Sequence, residues 1–254
     1  MKRLLSFLII ASAVSISAAP FNVDPQSSVP VLVPMAPSQS IDGYGARWSV
    51  ALIGYNSAAA DVVVPCDQAQ CPRFRAGEAF NMSGVLGASG EPMVLRIPGD
   101  RIADLQLEEQ VRTMNPSMAV NPSRSLRIPV VRLDSITQNS ITFLNIDSDQ
   151  IDTRTSIRVY SALWGPDSRS VTMTIYREYE GRSSPLYSRE FKMNEVVTNG
   201  IRIGYIGLSW PAAVARTPFP TRVTIESDGP VWGFVTTSER SNEPAVSLTL
   251  PSAK

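Results

Sequence analysis

The chain has 254 residues, with 23 basic side chains against 23 acidic ones, and no histidine. Balanced charge offers no clustered positive excess for nucleic acid or an anionic membrane. The missing imidazole excludes Ser-His-Asp and Cys-His triads, His-Glu-x-x-His zinc sites and His-bound copper or iron.

The N-terminus reads as an exported leader. Lys2 and Arg3 precede an apolar run from Leu4 to Ile16, with small residues at its end, Ser15, Ser17, Ala18 and Ala19. This is the pattern of a signal peptide over residues 1–19, cleaved after Ser17 or Ala19. The run is shorter than the roughly 20 residues that span a bilayer. No second run of that length follows, so no membrane span is expected in the mature chain. A secreted or periplasmic location is the expectation.

A proline-rich lead occupies residues 20–37, with one early strand expected around Val29 to Val33. A first β-sandwich domain is expected over residues 38–120. Its strands include Arg47 to Tyr55, Ala60 to Val64 and Met93 to Ile97. Cys66 and Cys71 lie between them, and export makes a disulfide between the two the default. The segment Ile102 to Met114 is ambiguous. Leu105, Leu107 and Val111 keep strand alternation that Glu109 breaks, whereas Ile102, Leu105, Gln106 and Glu109 could line a helix. Strand is the preferred reading.

Asn115-Pro116 and Asn121-Pro122 interrupt regular structure, because the residue before proline is pushed to extended geometry. A second β-sandwich domain is expected over residues 121–254. Pro129 fits an edge strand better than a central one. Strands follow at short spacing to Leu250. Glu180-Gly181, Asn199-Gly200 and Asp228-Gly229 carry hairpin-turn chemistry. The fold class is therefore all-β, two tandem antiparallel β-sandwich domains after a signal peptide.

The succession LRIPVVRLD, ITFLNID, TRTSIRVY, SVTMTIYREYEG and TRVTIESDGPVWGFVTTSERSNEPAVSLTLP resembles a group of exported bacterial proteins with tandem immunoglobulin-like β-sandwiches. The resemblance covers roughly residues 40–250. It implies fold and export, and carries no activity or functional residue with it.

Candidate sites are few. Asn145, Asp147, Asp149 and Asp152 place oxygen ligands at alternating positions, which suits calcium. The glycine of the sharp turn and the closing glutamate of a calcium loop are missing, which leaves a solvated acidic loop as the other reading. No other cofactor is indicated. Trp164 and Trp210 border strands beside proline, and with Phe219 in the loop Trp210 to Pro220 they could form a sugar-stacking surface. Packing of that loop over the sandwich end is the alternative. Trp48 and Trp232 lie in strand patterns and read as core.

Without histidine, hydrolysis would fall to carboxylates such as Glu178 with Glu180, to Glu190, or to the Glu108-Glu109 pair. A Ser-Lys pair is nearly closed off, because no Ser-x-x-Lys precedes Lys192 and Lys254 is terminal. The expected function is a non-enzymatic binding, adhesion or structural module of the cell envelope, with an envelope protein or a glycan as partner. The alternatives are a chaperone that lends an edge strand to fibre subunits, with Leu105, Leu107 and Val111 as the candidate strand, and a carboxylate-based glycan hydrolase.

Overall fold

Period-two alternation builds the sheets of the computed structural model, which describes residues 28–35, 38–41, 47–65, 72–83, 90–114, 125–146, 153–163, 169–214, 221–239 and 246–252. These residues form no α-helix, and none of their helices is long and apolar enough to cross a membrane. The expected signal peptide and the Cys66–Cys71 disulfide lie outside the described residues.

Sheet I is small, with β1 (Ser28–Val33) between β7 (Met93–Pro98) and β10 (Val131–Arg132). Sheet II runs through β2 (Ser38–Ile41), β3 (Arg47–Asn56), β8 (Leu105–Met114) and β9 (Ser125–Pro129). A further strand, β6 (Ala79–Met82), takes over from β2 along the same edge of β3. Two short strands, β4 (Val62–Val63) and β5 (Arg73–Phe74), make a separate ribbon. Sheet III runs through β15 (Asn194–Thr198), β16 (Ile201–Ser209), β12 (Thr153–Ala162), β18 (Trp232–Glu239) and β19 (Val246–Thr249). Sheet IV runs through β11 (Ser140–Ile146), β17 (Thr221–Ser227), β13 (Ser170–Tyr179) and β14 (Arg182–Lys192). All these pairings are antiparallel.

Alternation assigns each face to a different core. In β1, Val31 and Val33 join Leu52, Phe74, Leu95 and Ile97 in a cluster shared with sheet II. In β12, Ile157 and Val159 join Phe143, Met173, Ile175, Val223 and Val235 between sheets III and IV. The opposite faces of β1 and β12 are also covered. Leu32 and Val94 from sheet I meet Tyr160, Ala162, Ile201, Ile203 and Phe234 from sheet III in a third cluster. Val50, Val111, Leu126 and Ile128 from sheet II complete it. The two halves of the chain therefore share a core rather than touching through a linker alone.

Residues 125–132 lie beyond the expected break at Asn121-Pro122, yet β9 pairs with β8 and β10 with β1. The physical reason is Leu126 and Ile128, whose alternation matches the buried face of β8 rather than any strand further along. Pro129 sits on β9, which among the described strands is an edge with β8 as its one neighbour. The early strand expected in the lead is β1, and its Pro30 lies outside the stretch paired to β10. The ambiguous segment is a 3-10 turn over Ile102–Asp104 followed by the strand β8.

Two of the three expected hairpins form. Glu180-Gly181 and Asn199-Gly200 hold positive φ at both positions, 48° and 72° in each pair, the type I′ requirement. Asp228-Gly229 instead joins β17 in sheet IV to β18 in sheet III, so the chain changes sheets there and forms no hairpin. Its glycine answers a different need: a Cβ on Gly229 would lie 2.3 Å from the Arg169 guanidinium carbon. That guanidinium is held by the Ser161 hydroxyl at 2.5 Å and the Pro230 carbonyl at 3.3 Å.

Polar contacts tie the halves at the edge of sheet I. The Val94 N–H donates to Thr198 Oγ1 at 3.2 Å, Asn199 Nδ2 donates to the Val94 carbonyl at 2.6 Å, and Arg96 Nε donates to the Asn199 carbonyl at 2.9 Å. Nearby, Arg158 Nη1 donates to the Gly90 carbonyl at 3.0 Å. Behind these lies Glu109, fully buried, whose Oε2 accepts the Met35 N–H at 3.0 Å. Among the described residues its other oxygen has no hydrogen-bond partner. Burial pushes the Glu109 carboxyl up to about 8, against smaller opposing effects of the Met35 N–H and the Arg158 charge.

Candidate functional site

A groove of about 610 Å3 lies along sheet II, lined mostly by residues of one face, with Gly54, Phe80 and Leu107 of the other register also contributing. Antiparallel register explains its composition, because residues directly opposite share a face. On β8, Gln106, Glu108, Gln110 and Arg112 alternate with the inward Leu105, Leu107, Glu109 and Val111. Opposite them, β3 contributes Tyr55 beside Gln106 and Ile53 beside Glu108, while Ala51 lies beside Gln110. Strand β6 adds Ala79 and Asn81 beyond β3, and β9 adds Arg127 next to Gln110.

Three features give this face chemical character. Tyr55 is 41% exposed and presents a large ring to solvent. Arg127 Nη1 and Glu108 Oε2 pair at 2.8 Å, with both side chains well exposed, so the pair orients the two groups and contributes little stability. Gln110 is only 6% exposed, and among the described residues its amide oxygen has no hydrogen-bond partner. A buried acceptor left unmade costs about 1–3 kcal/mol. Such groups are uncommon in folded proteins and call for an explanation. Glu108 is the one carboxylate among the lining residues, whereas glycoside hydrolysis uses two.

Of the residues singled out from sequence, Leu107 and Glu108 line the groove, whereas Trp210 does not. Trp210 is 5% exposed, packs in the core between sheets III and IV, and donates its Nε1–H to the Val214 carbonyl at 3.2 Å. The 3-10 turn Ala212–Val214 folds back under the ring, so the indole closes the sandwich end and presents no stacking face. Trp164 and Phe219 lie outside the described residues. Trp232 packs against the shared core, with ring centroids 5.9 Å from Tyr160 and 5.8 Å from Phe234.

Of the proposed calcium ligands, Asp147, Asp149 and Asp152 lie outside the described residues. Asn145 sits at φ 53° where the register of β11 and β17 shifts. Among the described residues no group of three or more His, Cys, Asp or Glu could hold a metal ion.

The carboxylate candidates are tied into surface structure. Glu178 Oε1 accepts from Arg222 Nε at 2.8 Å and from Ser183 Oγ at 2.9 Å. The hydrogen bond from Arg222 holds its carboxyl below the usual range, the opposite of what a general acid needs. Glu180 occupies the hairpin turn, and Glu190 lies exposed opposite Thr172. The strand suggested for edge donation, β8, has β3 on one side and β9 on the other. Its backbone is paired to β3 throughout and to β9 over Glu108–Arg112, and Leu105 and Val111 are buried.

The groove was not foreseen from sequence. Its one signal is the run Gln106, Glu108, Gln110, Arg112, all polar at alternate positions, which is also how an ordinary solvent face reads. No protein-family model, no curated protein and no solved structure matches the chain.

Proposed function

We propose that this protein is an exported, non-enzymatic binding module of the cell envelope, and that it holds a glycan in the groove on sheet II. The leader over residues 1–19 supports export. The pairings β12–β16 and β13–β17 support an immunoglobulin-like second half, since they correspond to the B–E and C–F neighbours of that sandwich. The first strand, β11, and the later strand, β18, lie on exchanged sheets relative to that plan.

The observation that carries the reading is the unpaired Gln110 oxygen in a groove rimmed by an exposed tyrosine. A sugar supplies hydroxyl donors for the amide and an apolar ring face for the phenol. The terminal torsion of glutamine is soft, so the amide can turn outward when a donor arrives.

Retention of the mature protein on a panel of insoluble glycans tests this reading. Saturable retention on at least one is expected, reduced roughly tenfold by Tyr55→Ala, in line with the loss of one ring contact and its burial. No retention on any glycan, or retention unchanged in Tyr55→Ala, would overturn it.

A further inference from the structure

We infer that the groove takes an acidic polysaccharide, with a hexuronate carboxylate seated on Arg112. The inference rests on the glycan reading above and adds the charge of the ligand. The two arginines of the groove differ in state. Arg127 is already neutralised by Glu108 at 2.8 Å. Arg112 is half-buried on the same face and makes no ion pair among the described residues. The lining residues thus carry two arginines against one glutamate, an excess of one positive charge.

Geometry narrows the partner further. Gln110 and Arg112 are two residues apart on one face of β8, a separation of about 7 Å. Among the described residues Gln110 Oε1 has no donor and Arg112 has no anion. A single hexuronate carries a carboxylate on one side of its ring and hydroxyls on the other, so one sugar can satisfy both. A guanidinium binds a carboxylate through two parallel N–H bonds, which fixes the ring orientation as well as its charge. From Arg112 back to Gln106 the row covers about 20 Å of strand. Several sugar units fit along it, ending beside Tyr55, whose ring can take an apolar sugar face.

A peptide fits this surface less well. Peptides that bind sheets gain affinity by main-chain bonding to an exposed strand edge. Here β3 has neighbours on both sides through the groove, and β8 has them over Glu108–Arg112, so most of the face offers side chains alone. Hydroxyl-rich polymers are bound in that way.

The test compares three polymers by calorimetric titration of the mature protein: polygalacturonate, the same polymer after carboxyl reduction, and polyglutamate. Polygalacturonate should bind roughly tenfold or more tightly than the reduced polymer, the scale of one charge-assisted contact. Arg112→Gln should abolish that difference while retaining weak binding of the reduced polymer. Gln110→Leu should weaken both polymers together. Unfolding midpoints of both variants close to wild type confirm that the fold is intact. Equal binding of the reduced polymer would overturn the acidic ligand while leaving the glycan reading in place. Polyglutamate as tight as polygalacturonate would overturn it in favour of an acidic peptide. Binding of none of the three would overturn it as well, and the glycan panel then decides separately whether the groove reading survives.

Discussion

Glu109→Gln is expected to stabilise the protein at pH 8 and to flatten its stability between pH 5 and 8. The folded protein holds the Glu109 proton to about pH 8, against an ordinary value of 4.5, chiefly because burial penalises the anion. The sign follows from proton counting. Below the ordinary value both states are protonated, and the group is neutral in its effect. As pH rises above it, the unfolded chain releases the proton and the folded chain does not, so unfolding gains an advantage. The advantage grows until the folded group itself ionises near pH 8. Its full size is of the order of 5 kcal/mol, or roughly 3 kcal/mol at pH 7.

Glutamine keeps an oxygen acceptor for the Met35 N–H and cannot ionise, so it removes this slope. Glu109→Leu should flatten the slope equally but gain less, because it leaves the Met35 N–H without its acceptor. Urea unfolding at pH 5 and pH 8 measures both. A Glu109→Gln variant that keeps the wild-type slope would refute the buried-proton account.

Gly54→Ala is expected to destabilise by about 3 kcal/mol or more. A Cβ there would lie 2.0 Å from the Gln106 carbonyl oxygen and 2.5 Å from Phe80 Cζ. The carbonyl belongs to the paired strand β8 and cannot retreat without breaking the ladder. The Phe80 ring is stacked on Phe74, with centroids 4.1 Å apart. Phe80→Leu removes the ring contact but leaves the carbonyl, so it should fail to rescue Gly54→Ala. Because Gly54 and Gln106 both line the groove, any shift that relieves the clash also disturbs the ligand surface. Chemical unfolding of the single and double variants checks this. A loss within about 0.5 kcal/mol would show that the two strands adapt freely.

Local chemistry was legible from sequence where the outcome depended on neighbouring residues. Glu180-Gly181 and Asn199-Gly200 make hairpins because the turn conformation itself selects them. Asp228-Gly229 carries the same chemistry and makes none, because the partner of β17 is fixed by the sheet-IV core rather than by its own turn. The reading of β8 shows the same limit. Glu109 looked like an interruption of the alternation, when it occupies its proper inward position with its proton retained. Polar residues on an inward register are read as breaks because charge is rarely buried, and only the packing around Glu109 explains the exception. The division after residue 120 was obscured for a related reason. Two proline dipeptides mark a break in the strand, and nothing local shows that the chain then returns to sheets I and II. The groove was hidden because its alternate polar residues match any solvated face. What distinguishes it is the neighbouring β6 and β9 and an amide oxygen without a partner among the described residues.

The most direct test is an amide NMR titration of the mature protein with oligogalacturonate. Shifts concentrated at residues 53–55, 79–81, 106–112 and 127, weakened in Arg112→Gln, are the predicted result. Shifts gathered instead around Trp210 and the strand connections of sheets III and IV would contradict it.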